Sequence, residues 1–176
     1  MARCSFSALF VVLFAGLCVA QSRDHVEIFG GYSYMNPDFT ATASSGVSGW
    51  DVSAAVNVVR HAGIVADFSG FSPTGAACTC GAAFAGFHTF LGGPQASISI
   101  GKIKPFARFL IGATTGSLTH ADSQFGGDFS HITYGAGGGV DFGLDRWFAV
   151  RGQADWLHVG SAGNVARLSA GLVFRF

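Results

Sequence analysis

Four groups of residues have the types that chemistry uses. Gly135-Ala136-Gly137-Gly138-Gly139 has the glycines of a phosphate loop. It lacks the Lys-Ser/Thr pair that would follow them and a helix to carry them, so it reads instead as close packing between crowded strands. His120, Asp122 and Ser123 are the residue types of a hydrolase triad. Residues this close in one polar stretch do not by themselves set the geometry that brings base to nucleophile, and solvated loop polarity is the reading kept. The six histidines, His25, His61, His88, His120, His131 and His158, form no recognisable motif. Cys78-Thr79-Cys80 is one close pair. It is either a tight loop disulfide or two thiols, and zinc would need more ligands. No catalytic, cofactor-binding or metal residue is therefore assigned, no cofactor is expected, and the chain is read as a non-enzyme.

The charged residues are more informative. Within the terminal segment Asn164 to Phe176, the stretch from Arg167 alternates, with Leu168, Ala170, Leu172, Phe174 and Phe176 on one parity and Arg167, Ser169, Gly171 and Arg175 on the other. Only Val173 breaks the pattern. A period of two belongs to a strand with two unlike faces. An apolar edge strand ending a soluble protein invites pairing with other chains, whereas a closed membrane barrel has no edge.

Seven further segments repeat the pattern. They are Val26 to Tyr34, Trp50 to Val58, His61 to Phe71, Phe84 to Ser97, Pro105 to Thr115, Ile132 to Phe142 and Phe148 to Leu157. Short connections (near Arg60, Ile98 to Lys104, and Gly143 to Trp147) alternate with long ones (Met35 to Gly49, Ser72 to Ala83, and Ser117 to Ser130), and His158 to Asn164 leads to the last strand. Tight turns on one side and longer loops on the other, with strands of about ten residues, describe an eight-stranded antiparallel up-and-down transmembrane β-barrel. The rival is a soluble barrel that buries its apolar parity. The glycine-rich polar parity of the sixth strand and the aromatic terminal strand favour the membrane form.

Energetics then assign the faces. Arg or Lys on a lipid face near the midplane costs about 2–4 kcal/mol, and a one-residue slip would move every charge of a strand outward. Glu27, Asp67, Arg108, Asp141, Arg151, Asp155, Arg167 and Arg175 are therefore assigned to the lumen as a charge network. Asp155 and Arg167 lie equally far from a hairpin centred near Ser161 and are expected to pair, with Arg151 and Asp141 nearer the short turns. In the fourth strand Phe87, Thr89 and Leu91 are assigned to lipid, with His88 and Phe90 inward. Trp147 and Phe176 are expected at the short-turn rim, Trp50 and Trp156 toward the other.

Composition agrees. Ten Lys and Arg balance ten Asp and Glu, which argues against a basic nucleic-acid surface. Gly reaches 26 and Phe 18 while Pro is only 4, the usage of short crowded strands with aromatic borders rather than of a linker. Residues 1–20 read as an export signal: Arg3, an apolar run from Ala8 to Val19, and small residues placing cleavage after Ala20. Cys4 and Cys18 leave with it. Leu17 directly before Cys18 argues against a lipoprotein. The mature region, 21–176, is one barrel domain.

Several stretches together resemble the OmpA-type outer-membrane β-barrel domains: Glu27-Ile-Phe-Gly-Gly-Tyr-Ser-Tyr34, Val65-Ala-Asp-Phe-Ser-Gly70, Pro105-Phe-Ala-Arg108, Gly137-Gly-Gly-Val-Asp141, Val150-Arg-Gly-Gln-Ala-Asp155 and Arg167-Leu-Ser-Ala-Gly-Leu-Val-Phe174. The similarity runs from about Val26 to Phe176. It implies a bacterial outer-membrane location, a lipid environment and insertion by the barrel-assembly machinery, with Phe174 and Phe176 as part of the assembly signal. Longer members carry a peptidoglycan-binding domain, and that function does not transfer. Some outer-membrane barrels modify lipid A with Ser and His, but no such motif is present here. The expected role is structural or surface-interacting, with a narrow pore for small solutes or ions as the alternative and a lipid-modifying enzyme behind both. The protein is expected to be a monomer, with no nucleic-acid partner and an unassigned external ligand.

Overall fold

The structure, a computed structural model, describes residues 26–36, 46–72, 82–120, 127–160 and 163–176, with side chains undescribed at 82–85, 117–120 and 127–129. Residues 1–20, read from the sequence as an export signal, and Cys78, Cys80, Asp122 and Ser123 lie outside the described residues. Eight strands follow in order: β1 (Val26–Asn36), β2 (Val47–Val59), β3 (Ala62–Ser72), β4 (Ala82–Ser97), β5 (Ile103–His120), β6 (Gly127–Gly143), β7 (Phe148–Val159) and β8 (Gly163–Arg175). Each pairs antiparallel with the next, and β1 pairs with β8 to close the barrel. Closure satisfies both edges of every strand.

Three tight connections gather at one end. Arg60 and His61 join β2 to β3, residues 98–102 join β4 to β5, and residues 144–147 join β6 to β7. In the middle one, Ile100 and Ile103 exchange backbone hydrogen bonds around Gly101 and Lys102. Gly101 has φ +63°, the left-handed conformation a two-residue hairpin turn requires. Phe176 N–H donates to the Val26 carbonyl at this same end.

Six of the strands are longer than the sequence pattern suggests, most of all β5 and β6, while β3 and β8 keep their expected lengths. Their ladder continues to Leu118↔Gly127, so residues assigned to the long connection 117–130 are strand at both ends. Polar Ser, Thr and Asp in that stretch mask a pairing that only the partner strand supplies.

In β4 the assigned faces are reversed. Thr89 and Leu91 are buried inside and Phe87 packs against the interior cluster, while Phe90 is 57% exposed on the outer face beside His88. Both parities of this segment are apolar, so alternation alone does not choose. The interior chooses, because Phe87 stacks on Phe71 at 5.0 Å and Thr89 hydrogen-bonds Ser69. Gln95 and Ser97 share the parity of Thr89 and are buried too, which is the sequence signal that marks it as inward.

Candidate functional site: a charged lumen inside an apolar wall

The period-two pattern sends one parity of every strand into a narrow interior. All eight charges assigned to the lumen line it, and they form two groups. The central group joins β3, β5, β7 and β8. Arg167 Nη1 donates to Asp67 Oδ1 at 2.8 Å and Nη2 to Asp155 Oδ2 at 2.9 Å. Arg108 Nε and Nη2 donate to the two carboxylate oxygens of Asp155 at 2.9 and 2.7 Å. These four side chains have no exposed surface. The fork of each guanidinium matches two carboxylate oxygens, and that geometry can repay part of the desolvation such groups incur.

Backbone register explains how these side chains meet. Asp155 is directly across from Arg167 on β8. On its other side it faces Gly137, which in turn faces Arg108. A Cβ at Gly137 would stand 2.1 Å from Asp155 Oδ1. The missing side chain on β6 is thus what lets Arg108 and Asp155 reach one another across that strand. The glycine run read at first as strand packing has this local purpose.

The second group lies toward the short turns. Arg151 Nε and Nη2 donate to Asp141 at 2.6 and 2.8 Å, and Nη2 also donates to Glu27 at 3.1 Å. Arg175 donates to Asp141 at 2.8 Å, and Lys104 pairs with Glu27. The guanidinium of Arg151 stands 4.4 Å from the ring centre of Phe106 and 5.6 Å from that of Phe29, a cation–π arrangement. Lys104 and Arg175 keep 12% and 14% of their side-chain surface exposed, so this group touches solvent where the central one does not.

Sequence reasoning left some members out. The sequence pattern puts Lys104 in a connection, although it shares the parity of Phe106 and Arg108. Asp51 accepts from Gln153 Nε2 at 2.9 Å across the lumen. Hydroxyl pairs Ser33–Ser169 and Thr114–Thr133 add polar ties at 2.9 and 2.7 Å. Toward the long connections the interior turns apolar, with Met35, Phe71, Leu157, Val159 and Val165 in one cluster. Asp51 Oδ1, Ser53 Oγ, Gln153 Oε1 and both terminal atoms of Gln95 are buried without a protein hydrogen-bond partner.

The outer face has the opposite character. Ile64, Phe90, Phe109, Ile111, Ile132, Leu168 and Leu172 are each close to half exposed or more. Among the described side chains no Asp, Glu, Lys or Arg lies on the outer face of a strand. Trp147 and Phe176 sit at the short-turn rim, and Trp50 and Trp156 face outward in the other half. Trp50 lies against Gly70, so its ring meets Phe68 edge-on at 4.9 Å. Among the described residues no group of three or more His, Cys, Asp or Glu could hold a metal ion. His120 ends β5.

A closed eight-stranded antiparallel barrel, apolar outside and charged within, is a transmembrane β-barrel fold of the outer-membrane type. Solved structures agree on the fold. Neisserial surface protein A superposes with a TM-score of 0.67 at 14% identity, over 88% of this chain and 98% of that one. Ail, the attachment invasion locus protein of Yersinia pestis, gives 0.61 at 12%, over 89% and 100%. The N-terminal β-barrel domain of Pseudomonas aeruginosa OprF gives 0.59 at 12%, over 89% and 100%. No protein-family model and no curated sequence matches the chain significantly.

Proposed function

We propose that this protein is a bacterial outer-membrane barrel that serves as a closed, lipid-anchored scaffold for surface interaction, its long connections supplying the contact. The observation that carries this reading is the contrast between faces. Every described Asp, Glu, Lys and Arg on a strand points inside, all but Asp51 in an ion pair, and none lies on the outer wall. An eight-stranded interior filled by side chains suits an anchor better than a wide pore. Ail, whose name records attachment and invasion, uses the same fold.

A narrow pore is the second reading. It is favoured by the unpartnered Ser53, Gln95 and Gln153 atoms, which suit ordered water inside the lumen. Planar-bilayer recording separates the two. The anchor reading expects no current steps above background, and steady unitary steps would establish the pore instead. No described constellation supports a lipid-modifying enzyme.

Insertion by the barrel-assembly machinery is part of the same proposal. Phe174 packs edge-on against Phe176 at 4.6 Å and beside Phe148 at 5.0 Å, forming an aromatic patch on the outer rim. Replacing Phe176 by Asp should lower outer-membrane insertion more than Val173→Ala, since Val173 only fills the lumen. Equal amounts of folded barrel in both variants would remove Phe176 from the assembly signal.

A further inference from the structure

The three short turns share a composition that a turn facing only water does not need. Each has one Arg or Lys flanked by large exposed apolar residues: Val58 and Val59 before Arg60, with His61 after it, Ile98 and Ile100 before Lys102, and Leu144 and Trp147 around Arg146. Val58, Val59, Ile98, Ile100 and Leu144 are all more than half exposed. These three bases are the only described Arg or Lys side chains on the exterior. The one acid among them, Asp145, is engaged locally, accepting the Arg146 backbone N–H at 2.7 Å. Because the turns follow β2, β4 and β6, the bases are distributed around the rim rather than clustered.

Apolar residues at this level gain by burial at the acyl boundary, while long basic side chains reach outward to the headgroups. We propose that the short-turn rim docks anionic phospholipid headgroups, with the five aliphatic residues in the acyl boundary and Arg60, Lys102 and Arg146 on the phosphodiesters. The complementarity is of charge and depth together, and it names the occupant as a lipid rather than a free anion. This inference rests on the membrane reading above.

The test is lipid selectivity of the full folded protein in phosphatidylcholine vesicles containing phosphatidylglycerol, read by electron spin resonance of each lipid in spin-labelled form. A base near an anionic surface favours the charged lipid roughly fivefold. Averaged over boundary lipid, only part of which meets a base, the expected preference is about threefold for phosphatidylglycerol. It should vanish in R60Q/K102Q/R146Q. It should also vanish for the native protein near 1 M salt, where the screening length falls to about 3 Å, so the decision does not depend on the triple variant folding. Equal immobilisation of both lipids by the native protein, or a preference that survives salt or the triple substitution, overturns the docking surface. Absence of any immobilised lipid overturns the membrane reading beneath it, an outcome distinct from equal immobilisation.

Discussion

Val150 and Arg151 are adjacent in β7 and belong to different solvents. Val150 is 42% exposed on the outer wall, while Arg151 is buried among Asp141, Glu27 and Phe106. The same division runs along β8, where Leu168 faces out and Arg167 in. A soluble barrel with the same strand periods would place these residues the other way round. What distinguishes the two is therefore the direction of the polar parity. Direction is fixed by cost: a charge in hydrocarbon is penalised heavily, whereas a charge in this lumen finds a partner.

The largest effect should come from breaking the inner face at its driest point. Arg167→Ala leaves Asp67 without its nearest charge-assisted donor and Asp155 with only Arg108. Removing one partner of a buried pair costs about 3–5 kcal/mol. Urea unfolding in detergent measures it, and a double-mutant cycle with Asp155→Ala should return a clear coupling energy. A coupling near zero would contradict the contact and the β7–β8 register.

The outer face can be broken by one side chain. Ala154 lies outward in the middle of β7, directly after the inward Gln153. Ala154→Arg should destabilise the barrel in bilayers by about 2–4 kcal/mol. On a water-facing wall the same change would stay within about 0.5 kcal/mol, so a negligible effect in vesicles would argue for the soluble arrangement.

The smallest effect sharpens the contrast within the lumen. Arg175 is partly exposed, and its partners keep other donors: Asp141 retains Arg151, and Glu27 retains both Arg151 and Lys104. Arg175→Ala should cost about 1 kcal/mol or less, in the range of solvent-touching pairs, and the same urea titration checks it. A loss equal to that of Arg167→Ala would mean the two ion-pair groups share one environment.

How much of this was legible in the sequence depended on where charges fell. β7 and β8 carry Arg151, Asp155, Arg167 and Arg175 on one parity, so their faces and the Asp155–Arg167 pairing could be read directly. β4 has no charge, and its Phe and Leu residues occur on both parities. Its interior lies partly where the lumen turns apolar, so the rule that apolar means outward failed there, and Gln95 was the residue to weigh. The extensions of β5 and β6 were illegible for a different reason. They depend on cross-strand pairing, which one strand's composition does not record. Lys104 was missed because the bound assigned to β5 fell one residue after it. The cross-lumen ties, Asp67 with Arg167 and Asp51 with Gln153, follow from barrel closure and not from any spacing along the chain.

The most direct test of the central claim uses the native tryptophans. Trp50, Trp147 and Trp156 all stand on the outer wall, so no probe need be introduced. Folded protein is placed in vesicles whose acyl chains are brominated, and its fluorescence is compared with that in unbrominated vesicles and with aqueous iodide added. A lipid-facing wall predicts strong quenching by the brominated chains and little by iodide. Quenching by iodide with none from brominated lipid would show that the apolar wall faces water, and the membrane barrel would have to be abandoned.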